Sequence, residues 1–137
     1  MLVGTRFYAS QEAAGIPAAK NCIVTATGDR TIRSIIFDIV RRNVWPAPYS
    51  GRVLQNAFSE KWRGREGDLL QHQDEEGERY AAARAAGDFD TAAVIAGEVV
   101  DLITDIPSAA EIVQRMGTSA ARLLAIASNK YRITESQ

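Results

Sequence analysis

The chain has 137 residues, of which 46% are hydrophobic, so it can bury the core of one domain and is too short for two domains of ordinary size. Its 16 basic and 17 acidic residues give a formal net charge of -1, which argues against a basic surface for nucleic acid. A single cysteine and a single histidine exclude an internal disulfide framework and argue against a zinc site of several thiolates or imidazoles, and no apolar run reaches the roughly 18 residues of a membrane span.

The opening of the chain has a composition that predicts a short strand. Residues 2–8 include aliphatic and aromatic side chains that are compatible with β structure. Ser10 is a suitable cap for a helix that begins at Gln11. Pro17 suits the first turn of another helix, which we expect to run to about Ala26.

The next segment contains one ambiguous element between two breaks. Gly28 and Asp29 predict a turn. Thr31 to Val40 is rich in isoleucine, so a strand is the first expectation, although the isoleucines also fit one face of a helix. Two prolines and a glycine between Trp45 and Gly51 predict a loop.

From Arg52 onward the pattern indicates helices. Gly64 and Gly67 each weaken the first of these helices if they lie inside it. Residues 71–79 are strongly polar and predict a solvated face or a loop, and Tyr80 to Ala86 predicts a helix with Gly87 as its cap. The apolar face of the first helix consists of Val53, Leu54, Ala57, Phe58 and Trp62.

The last third begins with a clear helix start. Residues 105–107 contain a proline that stops the preceding structure, and Ser108 with Glu111 forms the signature of a capping box. We expect a helix of about 20 residues and a polar tail that frays from Ser128. Its apolar face consists of Ile112, Val113, Met116, Ala120, Leu123, Leu124 and Ala127.

The residue types that most often carry catalysis or bind metal favour ordinary structural roles here. His72 lies in a polar run with no orienting partner nearby, so we expect it at the surface. Cys22 lies between apolar neighbours, which favours a small buried residue over a nucleophile. The acidic run 74–76 lacks the spacing of a calcium loop and predicts a solvated face. We therefore assign no catalytic residue and no metal ligand.

Two further segments have the composition of binding sites. Arg41 and Arg42 precede an aromatic loop, a combination that binds nucleic acid in some proteins, but the net charge of -1 argues against it. Gly4 and Thr5 can present a backbone N–H and a hydroxyl to a phosphate. As an isolated pair they are also consistent with a simple turn after a strand.

Four segments that occur in a fixed order carry a more specific signal. Together they resemble the C-terminal portion of the nitronate monooxygenase family, formerly called 2-nitropropane dioxygenase, up to about Leu124. The segments are GTRFYASQEA (4–13), WPAPYSGRVLQNAFSEKWRGREGDL (45–69), AAGDFDTAAVIAGEVVDLI (85–103) and DIPSAAEIV (105–113).

The resemblance implies an α/β flavoprotein that binds FMN, built on a TIM barrel with an appended small domain. It implies that Gly4 and Thr5 end the eighth barrel strand and contact the flavin phosphate. Residues 1–26 are then the last strand and following helices, 27–104 the appended α/β domain, and 105–137 the helix that returns to the barrel, with its tail. This chain itself is expected to be mostly helical with one or two short strands.

The sequence also departs from the family pattern. Nothing in it corresponds to the first seven barrel strands, to the other phosphate loop or to the family's catalytic histidine, which His72 does not match. Ile95 and Glu98 stand where the commoner family form has Trp and Gln.

The interpretation that follows is a C-terminal fragment of an FMN-dependent nitronate monooxygenase, inactive alone, whose small-molecule substrate is an alkyl nitronate. The alternative is a non-enzymatic helical interaction module, and a different FMN- or phosphate-binding barrel ranks last. The missing barrel leaves an apolar face on the last helix, so self-association is expected. No nucleic-acid or membrane partner is expected, and the lack of a secretory signal favours the cytoplasm.

Overall fold

Helices account for most of the regular structure in the computed structural model, which describes residues 3–130. Within those residues there are seven α-helices, two short strands and two 3₁₀ segments, which confirms the expectation of a mostly helical chain. The elements are α1 (Gly4–Tyr8), α2 (Pro17–Thr25), a 3₁₀ segment (Gly28–Arg30), β1 (Thr31–Ser34), α3 (Ile36–Val40), β2 (Gly51–Leu54), α4 (Ala57–Trp62), α5 (Glu66–Gln71), α6 (Gln73–Ala86), a second 3₁₀ segment (Glu98–Leu102) and α7 (Ala109–Lys130).

The strand predicted over residues 2–8 is wrong for the part of it that the structure describes, because Gly4–Tyr8 forms helix α1. A strand is stable only beside a neighbour that completes its hydrogen bonds, and the described sheet contains only β1 and β2, which pair with each other. The opening segment closes its bonds internally instead, for example from Phe7 N to Val3 O at 3.1 Å. Residues 1 and 2 of the predicted strand lie outside the described residues.

The helix predicted to begin at Gln11 is also absent from the described chain, where residues 10–15 are irregular. The Ser10 hydroxyl donates to Phe7 O at 2.7 Å and so closes the end of α1 rather than starting a new helix. The buried Lys20 ammonium donates to Ser10 O at 2.6 Å and ties this turn to α2. Helix α2 begins at Pro17 as predicted.

Residues 31–40, which the sequence allowed to be a strand or a helix, contain one of each. Thr31–Ser34 forms β1, antiparallel to β2. The Ser34 hydroxyl then accepts a hydrogen bond from Ile36 N at 3.1 Å, and the chain turns into α3. All five residues of α3 are buried; four of them are apolar, and the fifth, Asp38, pairs with Arg41.

The helix predicted from Arg52 begins later than expected, because Gly51–Leu54 pairs as β2. The start of α4 is fixed by a reciprocal cap. The Asn56 side chain accepts from Ser59 N at 2.9 Å, and the Ser59 hydroxyl accepts from Asn56 N at 2.9 Å. Gly64, at a φ of +76°, separates α4 from α5.

The polar run 71–79 is largely the solvated face of a helix, since α6 begins at Gln73. The solvated face predicted for the acidic run 74–76 is wrong for Glu76, which is 6% exposed and forms an ion pair with Lys61 Nζ at 2.7 Å. The helix predicted over Tyr80 to Ala86 and its Gly87 cap are confirmed, with Gly87 in the left-handed region at a φ of +74°.

Two hydrophobic clusters form the core, and the half-buried Phe89 packs against both. The first lies among α3, β2 and helices α4 to α6, and consists of Ile36, Phe37, Ile39, Val40, Val53, Phe58, Trp62, Leu69, Tyr80, Ala83 and Ala92. The second joins α2 to the segment before α7, and consists of Ala9, Ala19, Ile23, Leu54, Val94, Ala96, Val100 and Ile103.

Helix α7 begins with the predicted capping box. The Glu111 carboxylate accepts from Ser108 N at 2.9 Å, and the Ser108 hydroxyl accepts from Glu111 N at 3.2 Å. Ile112 is buried, but four apolar side chains farther along α7 are more than half exposed. Three of them, Val113, Leu123 and Leu124, belong to the predicted apolar face and are called the α7 apolar face; the fourth is Ile126. Helix α7 continues to Lys130, and the rest of the tail predicted to fray lies outside the described residues.

The segment that leaves α1 and the segment that enters α7 lie side by side. The Asp105 carboxylate accepts from Arg6 Nη1 at 2.9 Å and from Arg115 Nη1 at 2.5 Å. The backbone is joined as well, since Gln11 N donates to Pro107 O at 3.0 Å. The division into domains at 26/27 and 104/105 stays a prediction.

Candidate functional site

A cleft of about 660 Å³ opens beside helix α1 and contains both residues of the predicted phosphate site. We call it the Thr5 cleft. Its lining residues come from widely separated parts of the chain: Gly4, Thr5, Tyr8, Ala14, Gly15, Ile16, Arg41, Arg84, Phe89, Ala93 and Ile95.

Thr5 joins the opening segment to the loop that ends in Gly97. Its hydroxyl oxygen accepts a hydrogen bond from Gly97 N at 3.0 Å. A hydroxyl has one proton and two acceptor lone pairs, and the Thr5 proton has no acceptor among the described residues. Thr5 can therefore hold the loop and still donate a hydrogen bond to an anion in the cleft.

Gly4 leaves the mouth of the cleft open. It is exposed, and beyond its chain neighbours and its own helix no atom lies within 4 Å of the position where a Cβ would stand. A ligand can therefore approach the backbone closely at this point. The five-residue helix α1 is too short to bind an anion through its dipole, so any charge complementarity must come from side chains.

Two arginines line the cleft, and Arg84 supplies that charge, because the charge of Arg41 is balanced by Asp38. Arg41 is fixed at the edge of the cleft, because its Nε donates to Phe37 O at 3.0 Å and its Nη2 donates to the buried Asp38 carboxylate at 2.7 Å. Arg84, in the last turn of α6, is exposed and pairs with no carboxylate of the described residues. An open glycine, a free hydroxyl proton and an unpaired guanidinium together fit a phosphate group.

The two departures from the family pattern have different positions. Ile95 lines the Thr5 cleft and is 60% exposed. Glu98 is not among the lining residues, and its carboxylate pairs with Arg52. Position 95 thus lies in a wall of the cleft, whereas position 98 contributes an ion pair outside it.

A second cleft, of about 740 Å³, adjoins the first and shares Arg41 and Ile95 with it. We call it the Trp45 cleft, because the aromatic loop forms one side of it. Its lining residues are Arg33, Ser34, Phe37, Asp38, Arg41, Asn43, Trp45, Pro46, Tyr49, Ser50, Gly51, Val53 and Ile95. Sequence reasoning connects neither Arg41 nor Arg84 with Gly4, because they lie on different elements and carry no local motif.

The other sequence candidates lie outside both clefts. His72 is exposed between α5 and α6, with Nδ1 2.9 Å from Asp68 O. Burial raises the pKa of the Cys22 thiol, and the charge of Asp90 raises it further, so the nucleophilic thiolate is disfavoured. Arg42 turns away from Arg41 and pairs with Asp74, so the two neighbouring arginines form no shared basic surface.

Residues 3–130 contain neither a cluster of metal-ligating side chains nor a membrane-spanning helix. In that range no group of three His, Cys, Asp or Glu side chains is arranged to hold a metal ion. No helix there combines the length and apolar character needed to cross a bilayer.

Comparison with known proteins gives a match in fold but not in sequence. No model of a protein family matches the chain, and no curated protein matches it either. The structure of FabK from Thermotoga maritima superposes with a TM-score of 0.72 and 21% sequence identity over 92% of this chain. A point mutant of the same protein gives a TM-score of 0.63, also at 21% identity over 92% of this chain.

The match covers only part of the FabK protein. The present chain spans 38% of one FabK chain and 34% of the other. At this level of identity the likeness concerns the fold alone. The described chain therefore has the fold of one portion of a larger TIM-barrel protein.

Proposed function

We propose that this chain is the C-terminal part of an FMN-dependent oxidoreductase of the nitronate monooxygenase type, with a catalytic barrel supplied by polypeptide beyond these 137 residues. The observation that carries the proposal is the convergence of Gly4, Thr5 and two arginines on one cleft. The four ordered sequence segments and the fold shared with part of FabK support it. The reaction would oxidise an alkyl nitronate with molecular oxygen to a carbonyl compound and nitrite.

FMN, when bound, would supply the redox chemistry, and this chain would hold its phosphate. The Thr5 hydroxyl would donate to a phosphate oxygen while its own oxygen stays bonded to Gly97 N. Gly4 would allow the close approach, and Arg84 would balance the charge. No side chain of the Thr5 cleft is a histidine or a carboxylate, so we assign proton transfer to the barrel.

The direct test uses the native polypeptide isolated from its source with an antibody raised against this chain. Its mass gives the extent of the polypeptide, and acid release followed by chromatography identifies any flavin. We expect a longer polypeptide that carries FMN and consumes oxygen with an alkyl nitronate. A native protein without flavin overturns the proposal. A native protein that carries FMN but does not oxidise nitronates overturns the assigned reaction and leaves the assignment of the cofactor in place.

A second test addresses the cofactor site in the isolated 137-residue chain. Because a barrel site is assembled from several strand ends, we expect no saturable FMN binding up to about millimolar concentration. Saturation at micromolar FMN, followed by flavin fluorescence, would show instead that the Thr5 cleft is complete without the barrel.

The α7 apolar face favours a second candidate, a non-enzymatic module that binds a protein partner. Leu123 and Leu124 are 62% and 71% exposed, and clustered apolar exposure of this kind marks interaction surfaces. The isolation experiment separates the two candidates, since a module would be recovered as a short polypeptide bound to another protein and without flavin.

A further inference from the structure

We propose that the Trp45 cleft is a binding site for a small organic anion with an extended apolar group, such as a long-chain or aryl nitronate or the equivalent carboxylate. As a substrate site it rests on the proposed function and narrows its substrate class. Binding of such an anion requires only the residues of this chain.

The size and lining of the cleft fit a molecule of this kind. Its volume of about 740 Å³ lies within the usual range for small-molecule sites. The buried side chains of Phe37 and Val53 line it. Three large apolar side chains, Trp45, Tyr49 and Ile95, also line it while remaining 54%, 66% and 60% exposed. A flat or extended apolar group would bury all three at once.

The charges around the cleft favour an anionic head group. Its lining includes two arginines, Arg33 and Arg41, and one carboxylate, Asp38, which is already paired with Arg41. The remaining positive charge lies on Arg33, which is exposed and donates one hydrogen bond to Ser50 O at 3.1 Å. A guanidinium matches a planar group of two oxygens, the shape shared by carboxylates and nitronates.

The two tryptophans provide a direct readout, because only one of them lies in the cleft. Trp45 is 54% exposed there, whereas Trp62 is 4% exposed in the core. Titration of the chain with octanoate should change the emission of Trp45 saturably, with a dissociation constant below about 1 mM. In Trp45→Phe the fluorescence change should disappear, while calorimetry should still detect binding.

Matched variants separate the cleft from other apolar surfaces. Ile95→Ser should weaken octanoate binding about tenfold, since it removes one apolar wall. Leu124→Ser removes a similarly exposed side chain from α7 and should leave binding unchanged. Arg33→Gln should weaken octanoate binding about tenfold and leave binding of neutral 1-octanol unchanged.

Each outcome bears on the proposal. No saturable binding of octanoate, or equal losses in Ile95→Ser and Leu124→Ser, overturns it. Equal affinity for octanoate and 1-octanol overturns the anionic part. These experiments contain no flavin, so a failure here leaves the FMN proposal untouched, and a native protein without flavin would leave the binding site in place.

Discussion

Thr5 illustrates how one side chain can organise a site before it meets a ligand. Its hydroxyl oxygen bonds to the amide of Gly97, a residue 92 positions away in the sequence. The sequence identifies Gly4 and Thr5 as a possible phosphate site, but nothing local indicates which loop lies against them. The partner could not be predicted because it depends on tertiary packing, which no spacing rule encodes.

The first prediction concerns this contact. Thr5→Val preserves the shape of the side chain but leaves the partly buried Gly97 N–H without an acceptor. We expect the free energy of unfolding to fall by about 1–2 kcal/mol, measured by urea denaturation. Thr5→Ser keeps the acceptor and should lose less, and equal stability in wild type and Thr5→Val would show that water replaces the contact.

The second prediction contrasts two glycines. Gly87 holds a φ of +74° at the end of α6, so Gly87→Ala should destabilise the protein by about 1 kcal/mol. Gly117 lies inside α7, and no other atom is near its Cβ position, so Gly117→Ala should raise helicity and stabilise by about 0.5–1 kcal/mol. Circular dichroism during thermal unfolding measures both, and a shift in the same direction would contradict the assignment.

Elements were predictable where their signals are local. The cap of α7 lies within the four residues 108–111, and the end of α6 depends on Gly87 alone. Elements that depend on a distant neighbour were missed. Gly51–Leu54 is a strand because Thr31–Ser34 lies beside it. The opening segment forms helix α1 instead of the predicted strand, and the described sheet contains only β1 and β2.

The third prediction concerns Asp105, which forms ion pairs with Arg6 of α1 and with Arg115 of α7. Hydrogen bonds from Arg115, and then from Arg6, hold the pKa of Asp105 below its usual range. A carboxylate with a lowered pKa contributes stability above its unfolded pKa of about 4 and loses that contribution as the pH falls through its folded pKa. Asp105→Asn should therefore be less stable than wild type at pH 7, and the difference should shrink below about pH 4.

The measurement is the urea midpoint of both proteins at a series of pH values. Glu111 has a lowered pKa of its own, because the Ser108 N–H and hydroxyl donate to it, so both proteins keep some acid sensitivity. Parallel stability curves for the two proteins would show that Asp105 is not coupled to folding.

At the scale of the whole molecule, the rest of the described chain covers α7 near its start and leaves residues 117–128 exposed. Ile112 is buried, while the α7 apolar face beyond it is exposed. The amphipathic pattern of this helix was evident in the sequence, and so was the expectation that its face lacks a cover. The clefts were not predictable, because their walls combine residues from α1, α3, α6 and the loops between them.

The fourth prediction follows from that exposed face. We expect the isolated chain to self-associate and to bind a hydrophobic dye, because association buries Leu123 and Leu124. Sedimentation velocity should show a concentration-dependent increase in mass that Leu123→Glu with Leu124→Glu abolishes. A monomer at all concentrations without dye binding would contradict the prediction.

The contacts of Arg6 with Asp105 and of Gln11 with Pro107 hold the two ends of the segment 12–104 side by side. Residues 12–104 therefore form one segment that begins and ends at the same place in the fold. A segment whose ends lie together can be lengthened, shortened or exchanged without changing the path of the flanking chain. This segment contains four of the residues that line the clefts, Arg41, Trp45, Arg84 and Ile95, whereas Gly4 and Thr5 precede it. Substitutions within this segment can thus change the walls of the clefts while Gly4 and Thr5 stay unchanged.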